Sequence, residues 1–303
     1  MTDDILGLFY MIWPLTITCI TFCFIGAFVF VISFSGFLAG LFLIVYYGYY
    51  YLKDNGYIDF IYQRATTIRC DLLQNLRTTF VLRGHLDTLP KTATLFVAHP
   101  HGLFFMGPFF HWAVRISEWP EGVPRVHPAI HSIFFRIPIV REIMEAHGAI
   151  EATEEAIENC LRKGESVMLM PGGIQEIQKT SSKEFIIFLK KRRGYLRIAK
   201  RTGVPIVPVL TTGETELFVP MEGPIINKIH ESLKTWFGLA VPIPTINSLW
   251  KWFGLFREPL PNPVETWIGR PIFEITQKNV LSELENIYTK ARRADMPERL
   301  TIQ

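Results

Sequence analysis

The sequence predicts an α/β fold, a mostly parallel sheet covered by helices, preceded by an N-terminal transmembrane hairpin. Three observations lead there. Apolar runs of strand length alternate with runs of helical period from residue 92 onward, as in strands joined by crossover helices. Two of those runs end in glycine-marked turns, His99-Pro100-His101-Gly102 and Pro171-Gly172-Gly173-Ile174-Gln175-Glu176. No charged residue occurs from Ile5 to Leu52.

That uncharged stretch far exceeds the ~20 residues one membrane helix needs. It starts Thr2-Asp3-Asp4 and never becomes polar, unlike a secretory signal, which starts basic and ends at a small-residue cleavage site. Ser33-Phe34-Ser35-Gly36 interrupts it, so two helices, about 6–32 and 37–52, are expected to form a hairpin; one long tilted helix is the alternative. Trp13 and the tyrosines 46, 47, 49, 50 and 51 stand where an interfacial aromatic belt would, or where side chains would pack on the following domain. Residues 1–52 are therefore read as a membrane segment and 53–303 as one domain. Lys53, Arg64, Arg69, Arg77 and Arg83 outnumber Asp54, Asp59, Asp71 and Asp87, which places that domain on the cytosolic side. The four cysteines, Cys19, Cys23, Cys70 and Cys160, form neither a disulfide framework nor a zinc pattern.

The elements of the domain follow in order. A strand over 92–98 leads into a helix around 103–117. Pro120, Pro124 and Pro128 predict a loop. A helix near 139–147 stops at Gly148, and another spans 153–163 with Thr153 as its N-cap. A strand over 166–170 carries the Pro-Gly-Gly turn. A helix around 183–202 ends at Gly203, and a strand over 205–211 follows. A helix over 222–236, a strand over 265–269 and a helix over 279–294 complete the domain. The 49% hydrophobic content permits a sizeable core, and a net charge of +3 is too small to argue for a nucleic-acid partner.

In parallel sheets, sites lie beyond the carboxyl ends of the strands, where both glycine turns fall. A histidine there can take a hydroxyl proton near neutral pH, and a carboxylate can orient it, the requirement of acyl transfer. Two histidines at a strand end also serve structure or metal binding, but no acidic or third-histidine partner stands at ligand spacing, so no metal is expected. Residues 190–201 hold seven basic side chains in twelve positions, a phosphate-binding surface or a solvated helix face. Trp236-Phe237, Trp250, Trp252-Phe253 and Leu255-Phe256 form an aromatic segment that either dips into a bilayer or packs into the core.

The chain resembles the type-2 diacylglycerol acyltransferase family, with its monoacylglycerol and wax-alcohol acyltransferases. The likeness rests on five blocks in order: His99-Pro100-His101-Gly102; Phe135-Arg136-Ile137-Pro138-Ile139-Val140-Arg141-Glu142; Gly172-Gly173-Ile174-Gln175-Glu176; Arg193-Gly194-Tyr195 through Gly203, with Val207-Pro208-Val209 and Gly213-Glu214; and Trp267-Ile268-Gly269-Arg270-Pro271-Ile272. Where the family has Tyr-Phe-Pro, Asn-Phe and the phenylalanine of Phe-Gly-Glu, this chain has Thr79-Phe80-Val81, His111-Trp112 and Thr212. The resemblance implies a glycerolipid-acyltransferase-like fold and transfer of a fatty acyl group from acyl-CoA, as substrate and without a cofactor, to a lipid hydroxyl. Diacylglycerol is the first expectation for the acceptor, with monoacylglycerol or a long-chain alcohol as alternatives. His101 is then the expected base, with His99 beside it and Glu176 orienting it. Backbone amides near Gly102, Gly172 and Gly173 are expected to hold the oxyanion. Arg136, Arg141, Arg192 and Arg193 are expected to bind acyl-CoA. The same resemblance implies the endoplasmic reticulum membrane, or lipid droplets, with the domain facing the cytosol; self-association stays open. Two rivals are an acyltransferase for lysophospholipid and a catalytically silent lipid-binding protein. The first carries His-x-x-x-x-Asp, but no aspartate follows His101 or His99 at that spacing.

Overall fold

The computed structural model describes residues 46–48, 50–51, 71–100, 102–173, 176, 184–219, 243–254, 260, 262–292, 296 and 300–303, with scattered positions in 221–235. The expected hairpin and His101 lie outside the described residues, as does most of the helix expected over 222–236. Among the described residues no helix is long and apolar enough to cross a membrane.

The strands are β1 (Phe80–Gly84), β2 (Leu95–Pro100), β3 (Val126–Ile130), β4 (Ile150–Glu151), β5 (Ser166–Leu169), β6 (Phe185–Ile187), β7 (Ile206–Thr212), β8 (Val264–Ile268) and β9 (Leu300–Ile302). Seven form one sheet in the order β1-β8-β7-β2-β5-β3-β4. All neighbours run parallel except β7 and β8, which pair antiparallel. The expected mostly parallel sheet is present. The helices are α1 (Asp71–Thr79), α2 (Met106–Pro108, continuing as a π-helical turn Phe109–Val114), α3 (Val140–Ala146), α4 (Glu154–Arg162), α5 (Gly194–Thr202), α6 (Glu214–Leu217), α7 (Ile246–Gly254) and α8 (Gln277–Ala291).

The central strands are apolar on both faces because both are covered. On β2, Leu95 and Val97 join a core with Ile157 of α4, Ala199 of α5 and Leu284 of α8. The alternate residues, Phe96 and Ala98, join Trp112, Met168, Val207 and Val209 on the other side. Helix starts behave as the sequence predicts: Thr153 Oγ1 accepts from the Ala156 amide at 3.2 Å.

Two segments differ from expectation. Pro128 lies inside β3, not in a loop. Ile130 sends its carbonyl to the Ala152 amide on the β4 side, and Pro128, two residues earlier, faces that same edge. β4 pairs only with Ala129 and Ile130, so the missing proline N–H leaves no neighbour unpaired. The expected helix over 183–202 is a strand and a shorter helix. Phe185-Ile186-Ile187 pairs with Leu300-Thr301-Ile302 in a second, two-stranded sheet, and the helix begins only at Gly194. Burying that aromatic and β-branched run against a distant strand overrides any local helical bias.

Candidate active site

Three adjacent strands, β7, β2 and β5, run parallel, and their carboxyl ends build the site. β2 delivers His99, fully buried, on the Leu95 face. The chain leaving β5 turns at Pro171-Gly172-Gly173 and sends Glu176 back over that end. Glu176 Oε1 accepts from His99 Nδ1 at 2.8 Å and from the Phe188 amide at 2.8 Å. A carboxylate only accepts, so the ring proton belongs on Nδ1. His99 Nε2 is buried with no hydrogen-bond partner among the described residues.

Glycine is required in this turn. A Cβ on Gly172 would lie 1.9 Å from Glu176 Cδ, so any side chain there would displace the carboxylate from His99. Gly102 is constrained in the same way from the other flank: a Cβ there would lie 2.4 Å from Glu214 Cβ.

Sequence reasoning gave Glu214 no role. It follows β7 through Gly213, whose φ of 88° suits glycine, and opens α6. Its carboxyl is buried, and Oε1 accepts from the Gly107 amide at 2.8 Å. Burial pushes its pKa up to about 8. The signal was an acidic residue within a few positions of a glycine that closes a strand-length run, as at Glu176.

The expected partner of Glu176 was His101; the partner the structure gives it is His99. His101 lies outside the described residues, between Pro100 at the end of β2 and the packed Gly102.

The arginines separate into groups. Arg136 and Arg141 follow β3 at the same end of the sheet and are exposed, and Arg141 Nε donates to Glu145 at 2.8 Å. Within the basic run, Arg197 and Arg201 are bound by Glu154 of α4, and Arg201 also reaches Glu158. Two of the seven basic side chains in the run thus belong to a seam between two helices. Arg192 and Arg193 are exposed at the start of α5. Because α5 runs back toward the start of β7, its first residues lie toward the carboxyl ends of the strands, on the side of His99.

The departing pair His111-Trp112 belongs to the core. His111 Nδ1 meets Ser117 Oγ at 2.6 Å, and burial drives its pKa down to about 3, so the ring stays uncharged at neutral pH. Trp112 packs against Phe96 and Trp119. In the aromatic segment, Ile246 and Trp250, one turn apart on α7, are 65% and 69% exposed, so this face is not core. Among the described residues no group of three or more His, Cys, Asp or Glu side chains gathers to hold a metal.

The profile of the family described as "Diacylglycerol acyltransferase" matches residues 40–291. The chain belongs to the diacylglycerol acyltransferase family. Membership agrees with the five blocks, each of which has described residues in the fold: the ends of β2 and β5, the segment after β3, α5 with β7, and the end of β8. The chain is 29% identical over 195 residues to "2-acylglycerol O-acyltransferase 1" of Bos taurus, covering 61% of this chain and 58% of that one. It is 28% identical over 225 residues to "Diacylglycerol O-acyltransferase 2" of Dictyostelium discoideum, covering 70% and 67%. It is 29% identical over 230 residues to "Acyl-CoA wax alcohol acyltransferase 2" of Homo sapiens, again covering 70% and 67%. The matched stretch thus spans 58% to 67% of these relatives' length. Among solved structures, the 1-acyl-sn-glycerophosphate acyltransferase PlsC of Thermotoga maritima has a TM-score of 0.46 and 17% identity, over 96% of this chain and 98% of that one. The fold described above rests on the sheet itself and not on that likeness.

Proposed function

We propose that this chain is an acyl-CoA-dependent O-acyltransferase that moves a fatty acyl group to the hydroxyl of a neutral lipid, diacylglycerol first, giving triacylglycerol. The observation that carries the reading is the buried His99–Glu176 pair, which ties the turn after β5 to the end of β2, the strand that His101 follows in sequence. His101 accepts the proton of the acceptor hydroxyl as its oxygen attacks the thioester carbonyl. The C–O bond forms, the tetrahedral oxyanion collapses, the C–S bond breaks, and the proton passes from His101 to the departing thiolate. General-base help of this kind is worth about 10²–10⁴ in rate. Backbone amides around Gly102, Gly172 and Gly173 are the proposed oxyanion donors, each worth about 3 kcal/mol where such donors have been removed. The acceptor reaches the site from the bilayer, in which the uncharged Ile5–Leu52 stretch holds the protein, in the endoplasmic reticulum or at lipid droplets.

Protein purified in detergent and given oleoyl-CoA with equal amounts of diacylglycerol, monoacylglycerol, hexadecanol and lysophosphatidic acid is expected to make triacylglycerol fastest. Wax ester or phosphatidic acid as the main product overturns the diacylglycerol assignment. No acylated product from any acceptor overturns acyl transfer itself and favours a silent lipid-binding protein. Release of the protein from membranes by alkaline carbonate would overturn the membrane reading.

Arg192 and Arg193, at the start of α5, are proposed to meet the phosphates of coenzyme A. Replacing both by alanine is expected to raise the KM for oleoyl-CoA with little change in kcat, the mark of lost uniform binding. A fall in kcat alone would assign them to the chemical step instead.

A further inference from the structure

We propose that Glu214 is a positioning residue for the acyl-transfer site, fixing the turn that carries His101 against the end of β7. The proposal rests on the acyl-transfer reading above.

Gly102–Met106 lead from the end of β2 into α2 and follow the proposed base directly in sequence. Glu214 contacts that turn twice. Its Cβ packs where a Cβ on Gly102 would stand, 2.4 Å away, so residue 102 and the Glu214 stem occupy one close-packed spot. Its Oε1 takes the Gly107 amide at 2.8 Å, and the Met106 amide also bears on the carboxyl. One side chain from the start of α6 thereby pins both Gly102 and the start of α2. α2 itself lies close on the sheet: a Cβ on Gly107 would come 2.5 Å from Thr266 Oγ1 and 2.8 Å from Thr211 Cγ2.

The second oxygen, Oε2, is buried and has no hydrogen-bond partner among the described residues. A full negative charge there would be costly. Among the described residues, the titratable and charged groups on the elements around it are His99 at the end of β2, held by Glu176, His111 on α2, Glu216 on α6, Glu265 on β8 and Lys251 on α7. His111 is buried and uncharged at neutral pH. Glu216 accepts from Asn262, Glu265 pairs with Arg83, and Lys251 Nζ donates to the Glu216 carbonyl. His101, beside Gly102, lies outside the described residues. The pKa of Glu214 is raised to about 8 by burial and opposed only by the two amides. Glu214 therefore props the turn as an uncharged acid at neutral pH.

The sign of the pH effect follows. The unfolded chain ionises Glu214 near the ordinary glutamate value, whereas the folded chain does so near pH 8. The contribution is fully present below the unfolded value and is lost as pH rises through the folded one. Glu214→Gln keeps the shape, the acceptor oxygen and a donor, and cannot ionise.

The test compares the wild type, Glu214→Gln and Glu214→Ala as full chains in detergent, by Tm and by oleoyl-CoA kinetics from pH 5 to pH 9.5. The Tm of Glu214→Gln minus that of the wild type is expected to grow with pH up to about 8 and then level. The Gln variant is expected to retain transfer at pH 7 and to lack the wild-type fall in kcat above pH 8. The Ala variant is expected to lose about a hundredfold in kcat, the cost of misplacing a reacting group by about 1 Å, with an unchanged KM for oleoyl-CoA. The same alkaline fall in the Gln variant, or a wild-type kcat in the Ala variant, overturns the positioning role. A wild type that transfers no acyl group overturns the functional reading. The Tm comparison then still decides whether Glu214 props this turn, and an identical pH dependence in wild type and Gln variant says that it does not.

Discussion

Alanine in place of His101 is expected to abolish acyl transfer from oleoyl-CoA while the protein stays folded and membrane-bound. His101 is assigned the one proton transfer that the attack on the thioester requires, and loss of a general base costs about 10²–10⁴ in rate. The fold is expected to survive because the contacts that hold this end of the sheet belong to its neighbours. His99 is tied to Glu176, and Gly102 and the start of α2 are tied to Glu214. The measurement is single-turnover acyl transfer with matched circular dichroism. Retention of more than about a tenth of wild-type activity removes the expected general-base loss, and the assignment with it.

His99→Ala and Glu176→Ala are expected to act first on stability. Each deprives a buried partner of this contact, and breaking such a pair from one side costs about 3–5 kcal/mol. In a domain of this size that is about 6–20 °C in Tm. Glu176→Ala is expected to be the worse of the two, because the Phe188 amide loses its acceptor as well. In the double variant the losses should fall short of additive, since neither partner is left behind to be stranded. Denaturation of all four proteins under one condition measures this. Single variants that each cost under about 1 kcal/mol, with additive losses, would mean that the pair is not a working contact. Activity is expected to fall in step with the displaced turn. His99 thus has a clearer part than its place beside His101 in the sequence implied: its bond to Glu176 anchors the end of β2.

The sequence alone determined the mostly parallel sheet covered by helices, because periodicity, glycine stops and capping residues are local signals. Thr153 capping α4 and Gly203 ending α5 could be read directly from the chain. It also determined the two turns that meet at the site, since His-Pro-His-Gly and Gly-Gly-x-x-Glu each follow an apolar run at the end of a strand. Tertiary structure decided what no local signal holds. The strand Phe185–Ile187 exists because Leu300–Ile302, far along the chain, supplies its hydrogen bonds. Pro128 sits in β3 because the neighbouring strand starts one residue later. Arg197 and Arg201 face acids on another helix, which the count of basic residues did not reveal. Glu176 pairs with His99, and Glu214 lies behind Gly102, because β7, β2 and β5 are neighbours in space though 107 residues separate Gly107 from the carboxyl that takes its amide. Sequence names the groups that bear chemistry; their partners and protonation follow from burial and distance, which exist only once the strands have been brought side by side.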